Sequence, residues 1–364
     1  MVHPLDARPA LVLSTKPSPL TAMINAVFGA MSNDMAIDMG THETRIQLGS
    51  RSSISSAPSA VSILQERSGE RRMVAVGSDA WAMLGRTPRD IHVVRPVRDG
   101  LIVEFDVAEA LLRHQMVEIQ GRRLWVGPRV AMCIPYGTTE VEKRAVRELA
   151  EAAGARTVHL IEQPLAAAAG AGLPVGDPCG QMIVDVGAGH TQVAVISLGG
   201  IVYSRSVKVG GDHMDGAIVR HIESHHGITI GLSTANRLKD TIGTALPQRN
   251  HHAMRVCGRD VDTGFPRTVE VAQVDIGVAL AESVQLIIDS VVSSMEHTPP
   301  DLTADIANTG IVLAGGGSKL ADLDRAIGHA TGLAVILAEE PESCTVRGAF
   351  MALQNQALLR AAAG

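Results

Sequence analysis

The sequence predicts an α/β protein made of two copies of one domain, with a cleft between the copies. Three observations carry this. Strand-like and helix-like stretches alternate along most of the chain. A chain of 364 residues exceeds what one hydrophobic core usually serves. One unusual motif occurs twice. Ile183-Val184-Asp185-Val186-Gly187-Ala188-Gly189-His190-Thr191-Gln192-Val193 reads as a strand, a tight turn with two glycines and a second strand. Ala36-Ile37-Asp38-Met39-Gly40-Thr41-His42-Glu43-Thr44-Arg45-Ile46 has the same plan: apolar lead, Asp, Gly turn, Thr, outgoing strand. Small turn residues let backbone N–H groups approach an anion closely. An Asp just before such a turn is well placed to hold Mg²⁺ through water. A third glycine-rich stretch, Leu313-Ala314-Gly315-Gly316-Gly317-Ser318, completes the set.

Composition narrows the classes. Hydrophobic residues make up 46% of the chain and aromatics only 2%, so Ala, Val, Ile, Leu and Met must fill two cores. The net charge of −6 argues against a nucleic-acid partner held by bulk positive charge. Cys133, Cys179, Cys257 and Cys344 are too scattered for a close-spaced zinc motif. They fit inert core positions in a reducing cytoplasm. No stretch is a convincing membrane span, and the N-terminus lacks a basic signal-peptide region. The absence of a Gly-Lys dipeptide excludes a Walker A loop. The pairs His225-His226 and His251-His252 read as solvated loops, because adjacent residues do not share a helix face.

In chain order, residues 1–18 hold three of the 17 prolines and read as a tail. Ser18 and Pro19 suit an N-cap and a first helical residue. Leu20, Met23, Ile24, Val27, Phe28 and Met31 then form one apolar helical face. The first Asp hairpin follows directly. Residues 46–100 alternate strands and turns, with a short helix near Asp79–Leu84 and a turn or loop at Arg95–Gly100. Val107–Ile119 is helical. Gly121–Pro128 is a loop with an apolar tip at Leu124-Trp125-Val126. Arg129–Ile134 is a buried strand closed by Pro135. Thr139–Ala153 is a helix with an i,i+4 pair Glu140–Arg144. Val158–Ile161 is a strand leading through Glu162-Gln163-Pro164 into the Ala-rich helix Leu165–Ala171. After the second hairpin, Asp212–Ser224 and Ser233–Gly243 are helical. Residues 253–275 form strands around Gly264, and 275–295 a long helix. Pro299 and Pro300 break it and start a short helical turn. Gly310–Ala314 is a strand into the triple Gly, followed by a helix from Leu320. Leu333–Leu337 is a strand and Thr345–Arg360 the closing helix.

These segments in this order resemble the MreB family, the bacterial actins within the actin/Hsp70/sugar-kinase superfamily. The resemblance runs from about Ser32 to the C-terminus. It rests on Gly85-Arg86-Thr87-Pro88, Arg95-Pro96, Glu140-Val141-Glu142-Lys143-Arg144, Glu162-Gln163-Pro164, Ile196-Ser197-Leu198-Gly199, Gly211-Asp212-His213-Met214-Asp215, His297-Thr298-Pro299-Pro300 and the triple Gly. It implies an actin-like fold, two RNase H-like domains each with a smaller subdomain and a nucleotide cleft between them. Residues 1–31 would be a tail and amphipathic helix. Residues 32–171, completed by 345–364, would be the first domain, with a subdomain at about 62–103. Residues 172–344 would be the second, with a subdomain at about 214–275. The resemblance also implies ATP hydrolysis coupled to polymerisation into protofilaments and control of cell shape. The protein would be cytoplasmic, on the inner face of the membrane. Leu20–Met31 and Leu124–Val126 would touch lipid, and cell-wall or cell-division membrane proteins would be partners.

Site roles follow from the same resemblance. Asp38 and Asp185 would face Mg²⁺ and the phosphates of ATP. Gly40, Thr41, His42 and Glu43 would form one phosphate loop, and Gly187, Ala188, Gly189 and His190 the other. Gly315, Gly316, Gly317 and Ser318 would pass the adenosine, with Lys239 beside the purine. Asn236, with Arg237 and Leu238 following, stands where the family usually places a ribose-binding Glu. Gln163 stands where the family has Glu, and would orient the attacking water. Gln163→Glu, restoring the family residue, is then expected to keep or raise the rate. His190 replaces the family's Thr, and His42-Glu43 replaces Ala-Asn; a carboxylate at 43 would repel phosphate unless turned away. A sugar or acetate kinase of the same superfold, or a filament for plasmid or organelle positioning, are the rival readings.

Overall fold

The computed structural model describes residues 34–49, 53–66, 69–120, 127–246, 252–355 and 359. The helix expected over Leu20–Met31 and the tip Leu124–Val126 lie outside the described residues. In the first half, strands β1 (Met35–Met39) and β2 (Glu43–Leu48) form the first Asp hairpin, and β3 (Ile54–Pro58) extends it. Strands β4 (Val61–Gln65), β5 (Arg71–Val76) and β6 (Ile91–Val94) make a small separate sheet beside helix α1 (Ser78–Ala82). Strands β7 (Val97–Arg98) and β8 (Leu101–Ile102) form a miniature hairpin where the sequence suggests only a loop. Two-residue strands carry no periodicity. The signal is the turn itself, Asp99 and Gly100, both with positive φ (51° and 80°) as a tight hairpin turn requires. Helix α2 (Phe105–Gln120), β9 (Arg129–Ile134), α3 (Glu140–Ala152), β10 (Thr157–Glu162) and α4 (Gln163–Gly170) follow.

The second half opens with β11 (Gln181–Val186), β12 (Thr191–Ser197) and β13 (Gly200–Val207). Helix α5 (Gly211–His226), β14 (Ile228–Thr229), α6 (Leu232–Ile242), β15 (Ala253–Asp260) and β16 (Pro266–Ala272) come next. Helices α7 (Gln273–Glu296) and α8 (Pro300–Thr309), β17 (Ile311–Ala314), α9 (Leu323–Thr331), β18 (Val335–Leu337) and α10 (Cys344–Gln354) complete it.

The main sheets run β10-β9-β1-β2-β3 and β18-β17-β11-β12-β13, one topology built twice. The duplication extends to register. Asp38 faces Arg45 across the first hairpin, and Asp185 faces Gln192 across the second. Gly40 N–H bonds Glu43 O at 3.0 Å, and Gly187 N–H bonds His190 O at 2.9 Å, so the turns close alike.

Several details differ from the sequence reading. Pro300 opens a full helix, α8, because a proline at the first helical position has no N–H to lose. The triple Gly runs into a 3₁₀ turn at Gly316–Lys319, and the following helix starts at Leu323 rather than Leu320. Glu140 pairs with Lys143 at 2.9 Å and Arg144 with Glu148 at 2.8 Å, so the pair Glu140–Arg144 is not made. Positions three and four apart are both neighbours on a helix, and nearer partners won. His225 and His226 end α5 instead of lying in a loop. Cys133 and Cys344 are buried, but Cys257 is exposed on β15 and Cys179 only half-buried. Helix α7 is long and apolar enough to cross a membrane, yet Ile276, Leu280, Val284, Ile287 and Val291 bury one face of it in the second-half core.

The two halves are tied by an exchange of helices. Helix α4 leaves the first sheet and packs on β11 and β12 of the second. Helix α10 leaves the second sheet and packs on β1 and β9 of the first. Between the sheets the two helices cross in one shared apolar cluster containing Ile161, Leu165, Ile183, Ile196, Val346 and Phe350. Glycines allow the crossing. A Cβ on Gly170 would lie 1.8 Å from Cys344 O, and one on Gly348 would lie 1.8 Å from Ala166 O. Both obstacles are backbone, so neither can move aside.

Gly348→Ala is therefore expected to cost about 2–3 kcal/mol of stability through overpacking. Gly216→Ala on α5 meets nothing nearer than the Arg220 Nη1 atom at 3.5 Å. Helix propensity should make that change stabilising by about 0.5–1 kcal/mol. Denaturant midpoints for the two variants should move in opposite directions.

Candidate functional site

Both Asp hairpins point their turns into one cleft of about 720 Å³ between the halves. Its lining includes Asp38, Gly40, Thr41, His42, Glu43, Gln163, Asp185, Gly187, Ala188, Gly189, His190, Asn236, Lys239, Gly315, Gly316 and Gly317. Three residues named from the sequence are not in that lining. Leu238 is buried in the second-half core, on the inner face of α6. Arg237 is exposed. Ser318 is buried, its Oγ donating to Gly315 O at 2.6 Å, so it shapes the glycine turn from behind. A helix shows different faces at successive positions, so a run of four neighbours cannot all reach one cleft.

The glycines are there for close approach. A Cβ on Gly315 would lie 2.4 Å from Asp185 Oδ1. A Cβ on Gly189 would lie 2.7 Å from Thr41 Oγ1 and 2.9 Å from the Asp99 backbone, so the second turn touches the first half across the cleft. The N–H groups of Gly211 and Asp212, opening α5, donate to Gly187 O and Ala188 O at 3.0 and 2.9 Å. The acceptor side of the second turn is thus already satisfied by the protein.

Acidic groups dominate the floor. Burial, with the charge of Asp38 next in importance, pushes the Asp185 carboxyl up to about 7. Burial raises Asp38 as well, against the opposing pull of Arg45 and a hydrogen bond from Gln163. A carboxyl raised by burial and by the charge of a second carboxyl fits a site completed by a divalent cation. Among the described residues no group of three or more His, Cys, Asp or Glu side chains could hold a metal. Asp38 and Asp185 would therefore share such an ion with water and ligand oxygens. Glu43 does not add to the repulsion unchecked. Arg45 pairs with its carboxylate, and Ser56 Oγ donates to it at 2.9 Å.

Gln163 bridges the Asp38 carboxyl and a neutral amide. Its Nε2 donates to Asp38 Oδ1 at 3.1 Å, and its Oε1 accepts from Gln192 Nε2 at 2.8 Å. Gln192 Nε2 also lies 2.8 Å from His190 Nε2. Burial lowers the His190 imidazole below its ordinary value. The two departures from the family pattern, Gln163 and His190, are thus neighbours in space. The contact with Asp38 gives the Gln163→Glu exchange a second outcome besides a kept or raised rate. A carboxylate at 163 would face Asp38 without a proton between them, so Gln163→Glu is expected to weaken the site.

On the far side, Lys239 pairs with Asp215 at 2.8 Å and donates to Gly211 O at 3.1 Å. Asn236, its amide turned to donate to Asp240 at 3.2 Å and accept from Lys239 at 3.3 Å, sits beside them. Above the turns, Arg95 donates to Thr41 O through Nε and Nη2 at 3.1 and 2.9 Å, lies over the Trp81 ring, and pairs with Asp212 of the other half. His42 packs edge-on against Trp81. The sequence reading missed Arg95, Asp212, Gln192 and Thr345, whose Oγ1 lies 3.4 Å from Asp185 Oδ2. Gln192 had a signal in the hairpin register, where it stands opposite Asp185, and Arg95 and Asp212 had one in the segments that carry the family resemblance.

Comparison with known proteins decides the family. The model described as "MreB/Mbl protein" matches residues 32–361. The chain belongs to the MreB/Mbl family. It is 44% identical over 334 residues to the cell shape-determining protein MreB of Escherichia coli K12, covering 91% of this chain and 96% of that one. It is 38% identical over 324 residues to the cell shape-determining protein Mbl of Bacillus subtilis 168, covering 89% and 96%. Among solved structures, MreB5 of Spiroplasma citri bound to AMPPNP superposes with a TM-score of 0.82 at 32% identity, covering 88% of this chain and 95% of that one. The MamK double helical filament, at 19% identity, has a TM-score of 0.75 over 89% and 99% and shows the shared fold. The actin-like fold expected from the sequence is therefore the fold of this MreB/Mbl chain.

Two tests follow from the geometry. Asp185 rises from an ordinary 3.8 to about 7 on folding, so the native state holds a proton that the unfolded chain releases. Its contribution to stability is present below its unfolded value and lost as pH rises through 7. With a chelator present, the melting temperature of the parent should fall across this window more steeply than that of Asp185→Asn. Arg95→Asp and Asp212→Arg should each destabilise the protein. The double exchange should recover part of the loss, with a coupling of about 1–3 kcal/mol in a denaturation cycle.

Proposed function

We propose that this chain is an ATP-dependent, actin-like cytoskeletal protein that assembles into filaments on the inner face of the cell membrane and takes part in control of cell shape. The observation that carries the nucleotide reading is the pair of Asp hairpins facing one cleft, with Asp185 pushed to about 7 by burial and by Asp38. A bound Mg²⁺ would supply the charge those carboxylates lack. The names of the MreB and Mbl relatives support the cytoskeletal role. The MreB5 structures bound to AMPPNP and ADP support the ligand class.

The residues divide the work. Asp38 and Asp185 hold the metal, directly or through water. The turns Gly40–Glu43 and Gly187–His190 take the phosphates on backbone donors, which tolerate side-chain change. Gly315–Gly317 admit the nucleoside along a wall without side chains. Lys239 and Asn236 stand on the side where sugar and base would lie. Gln163 orients the attacking water. A neutral amide cannot take its proton, so turnover rests on positioning. Membrane attachment is assigned to Leu20–Met31 and Leu124–Val126. Two weak anchors together hold stably where one is marginal, and polymerisation multiplies them along a filament. Cell-wall or cell-division membrane proteins are the expected partners.

The test combines nucleotide and lipid. The parent should bind Mg-ATP, release phosphate and form filaments on vesicles visible by electron microscopy. Asp185→Ala should lose Mg²⁺-dependent binding or turnover. Gln163→Ala should keep ATP affinity and release phosphate roughly ten- to a hundredfold more slowly. A variant lacking residues 1–31 and carrying Trp125→Ser should polymerise but no longer sediment with lipid. Unchanged Mg²⁺-dependent binding and turnover in Asp185→Ala would overturn the site.

A further inference from the structure

We infer that Gln192 is a positioning residue that holds the Gln163 amide oxygen in line with the cleft, and that it does so from the opposite half of the molecule. This rests on the ATPase reading above for its consequence, but the contact itself is a property of the protein.

Hydrogen-bond accounting leaves one orientation for both amides. The backbone N–H of Tyr136, just past β9 in the first half, donates to Gln192 Oε1 at 2.9 Å. A backbone N–H can only donate, so the Gln192 oxygen is identified and its nitrogen must face the other way. That nitrogen carries two hydrogens and has two neighbours, each at 2.8 Å: Gln163 Oε1 and His190 Nε2. Gln163 Nε2 then faces the Asp38 carboxylate. The chain of donors runs in one direction, from Tyr136 N–H through Gln192 and Gln163 to Asp38. Every amide in it is polarised the same way.

Two contacts bear on the His190 tautomer. Nε2 lies 2.8 Å from Gln192 Nε2 and 3.3 Å from Gln163 Oε1, while Nδ1 is buried with no protein partner. With Nε2 accepting from Gln192, the ring proton sits on Nδ1 and His190 offers Gln163 no hydrogen to compete with that of Gln192. A carbonyl oxygen has two lone pairs. Gln192 occupies one on Gln163 Oε1 and leaves the other to accept an O–H from water. Without Gln192 the amide keeps only its Nε2 bond to Asp38. Its oxygen is then no longer held from the second half and swings out of line, so a water there would present its hydrogens elsewhere. In the hydrolysis, water's oxygen bonds to the terminal phosphorus, and ADP leaves with the electrons of the broken P–O bond. The water's proton ends on phosphate or solvent, since no group in this chain of amides accepts it.

Gln192 lies on β12 of the second half and is fully buried, while Tyr136 and Gln163 belong to the first. Its amide thus makes both bonds only in this relation of the two halves, and the placement of the Gln163 oxygen depends on that relation.

The experiment uses the full chain and two readouts. Amide hydrogen exchange at Tyr136, without nucleotide, should speed up in Gln192→Leu with neighbouring β9 amides unchanged. Protection should return in Gln192→Glu, which keeps an acceptor for Tyr136 but lacks the donor for Gln163. Phosphate release at saturating Mg-ATP should slow roughly tenfold or more in both variants, with ATP affinity within about twofold of the parent. In the Gln163→Ala background, Gln192→Leu should add almost no further loss, because its effect passes through Gln163. Equal Tyr136 exchange in parent and Gln192→Leu would overturn the contact. Multiplicative losses in the double variant, or parental turnover in Gln192→Glu, would overturn the positioning role. A parent that binds Mg-ATP but releases no phosphate would overturn the ATPase reading and the catalytic part of this one, while the exchange result would still decide the contact. If Gln192→Leu does not fold, Gln192→Glu carries the kinetic arm alone.

Discussion

The molecule depends on the crossing of α4 and α10 at Gly170 and Gly348. Each helix leaves the sheet of its own half and packs on the sheet of the other, so neither half completes its core alone. The crossing is tight because Ala166, Gly170, Cys344 and Gly348 bring backbone against backbone. Such a contact has little room for intermediate positions, since close-packed groups slide or separate more readily than they compress. Gln163 is the first residue of α4, and Thr345 is the second of α10. The two helices that join the halves therefore also place a candidate water-orienting amide beside Asp38 and a hydroxyl beside Asp185. Structure and site share one joint.

Electrostatics at that joint are left unbalanced. Buried carboxylates are ordinarily paired, as Asp215 is with Lys239. Asp38 and Asp185 are instead both raised by burial, Asp185 also by the charge of Asp38, with Arg45 giving Asp38 partial relief. Strain of this kind is kept where a ligand supplies the missing charge. The neutral set of Gln163, Gln192 and His190 fits the same logic. Amides and an uncharged imidazole can stand next to two carboxylates without adding a third charge, which a Glu at 163 would do.

The duplicated hairpins, the glycine-rich third turn and most helices were legible because each rests on local chemistry. A strand with an Asp at its end and Gly in the turn reads the same in both copies. The helix placed over Thr139–Ala153 starts where expected, and the structure shows Thr139 and Glu142 closing a capping box there. Misses came where local signals were short or ambiguous. The hairpin at Val97–Ile102 is two residues a side. Pro300 could end one helix or begin another. Leu238 lies next to cleft residues in sequence but faces the core, because the pitch of α6 turns it away.

By itself the sequence determined the fold family, the two Asp-and-glycine turns and the carboxylates that stand before them, since these depend on residue types at fixed short spacings. Only the tertiary structure decided which side chains meet across the cleft. Arg95 with Asp212, Tyr136 with Gln192, and Gln192 with Gln163 join residues far apart in the chain. No periodicity or spacing encodes such pairs. They exist because two sheets of one topology are held face to face by exchanged helices, and that arrangement alone sets the few ångströms over which a hydrogen bond can form.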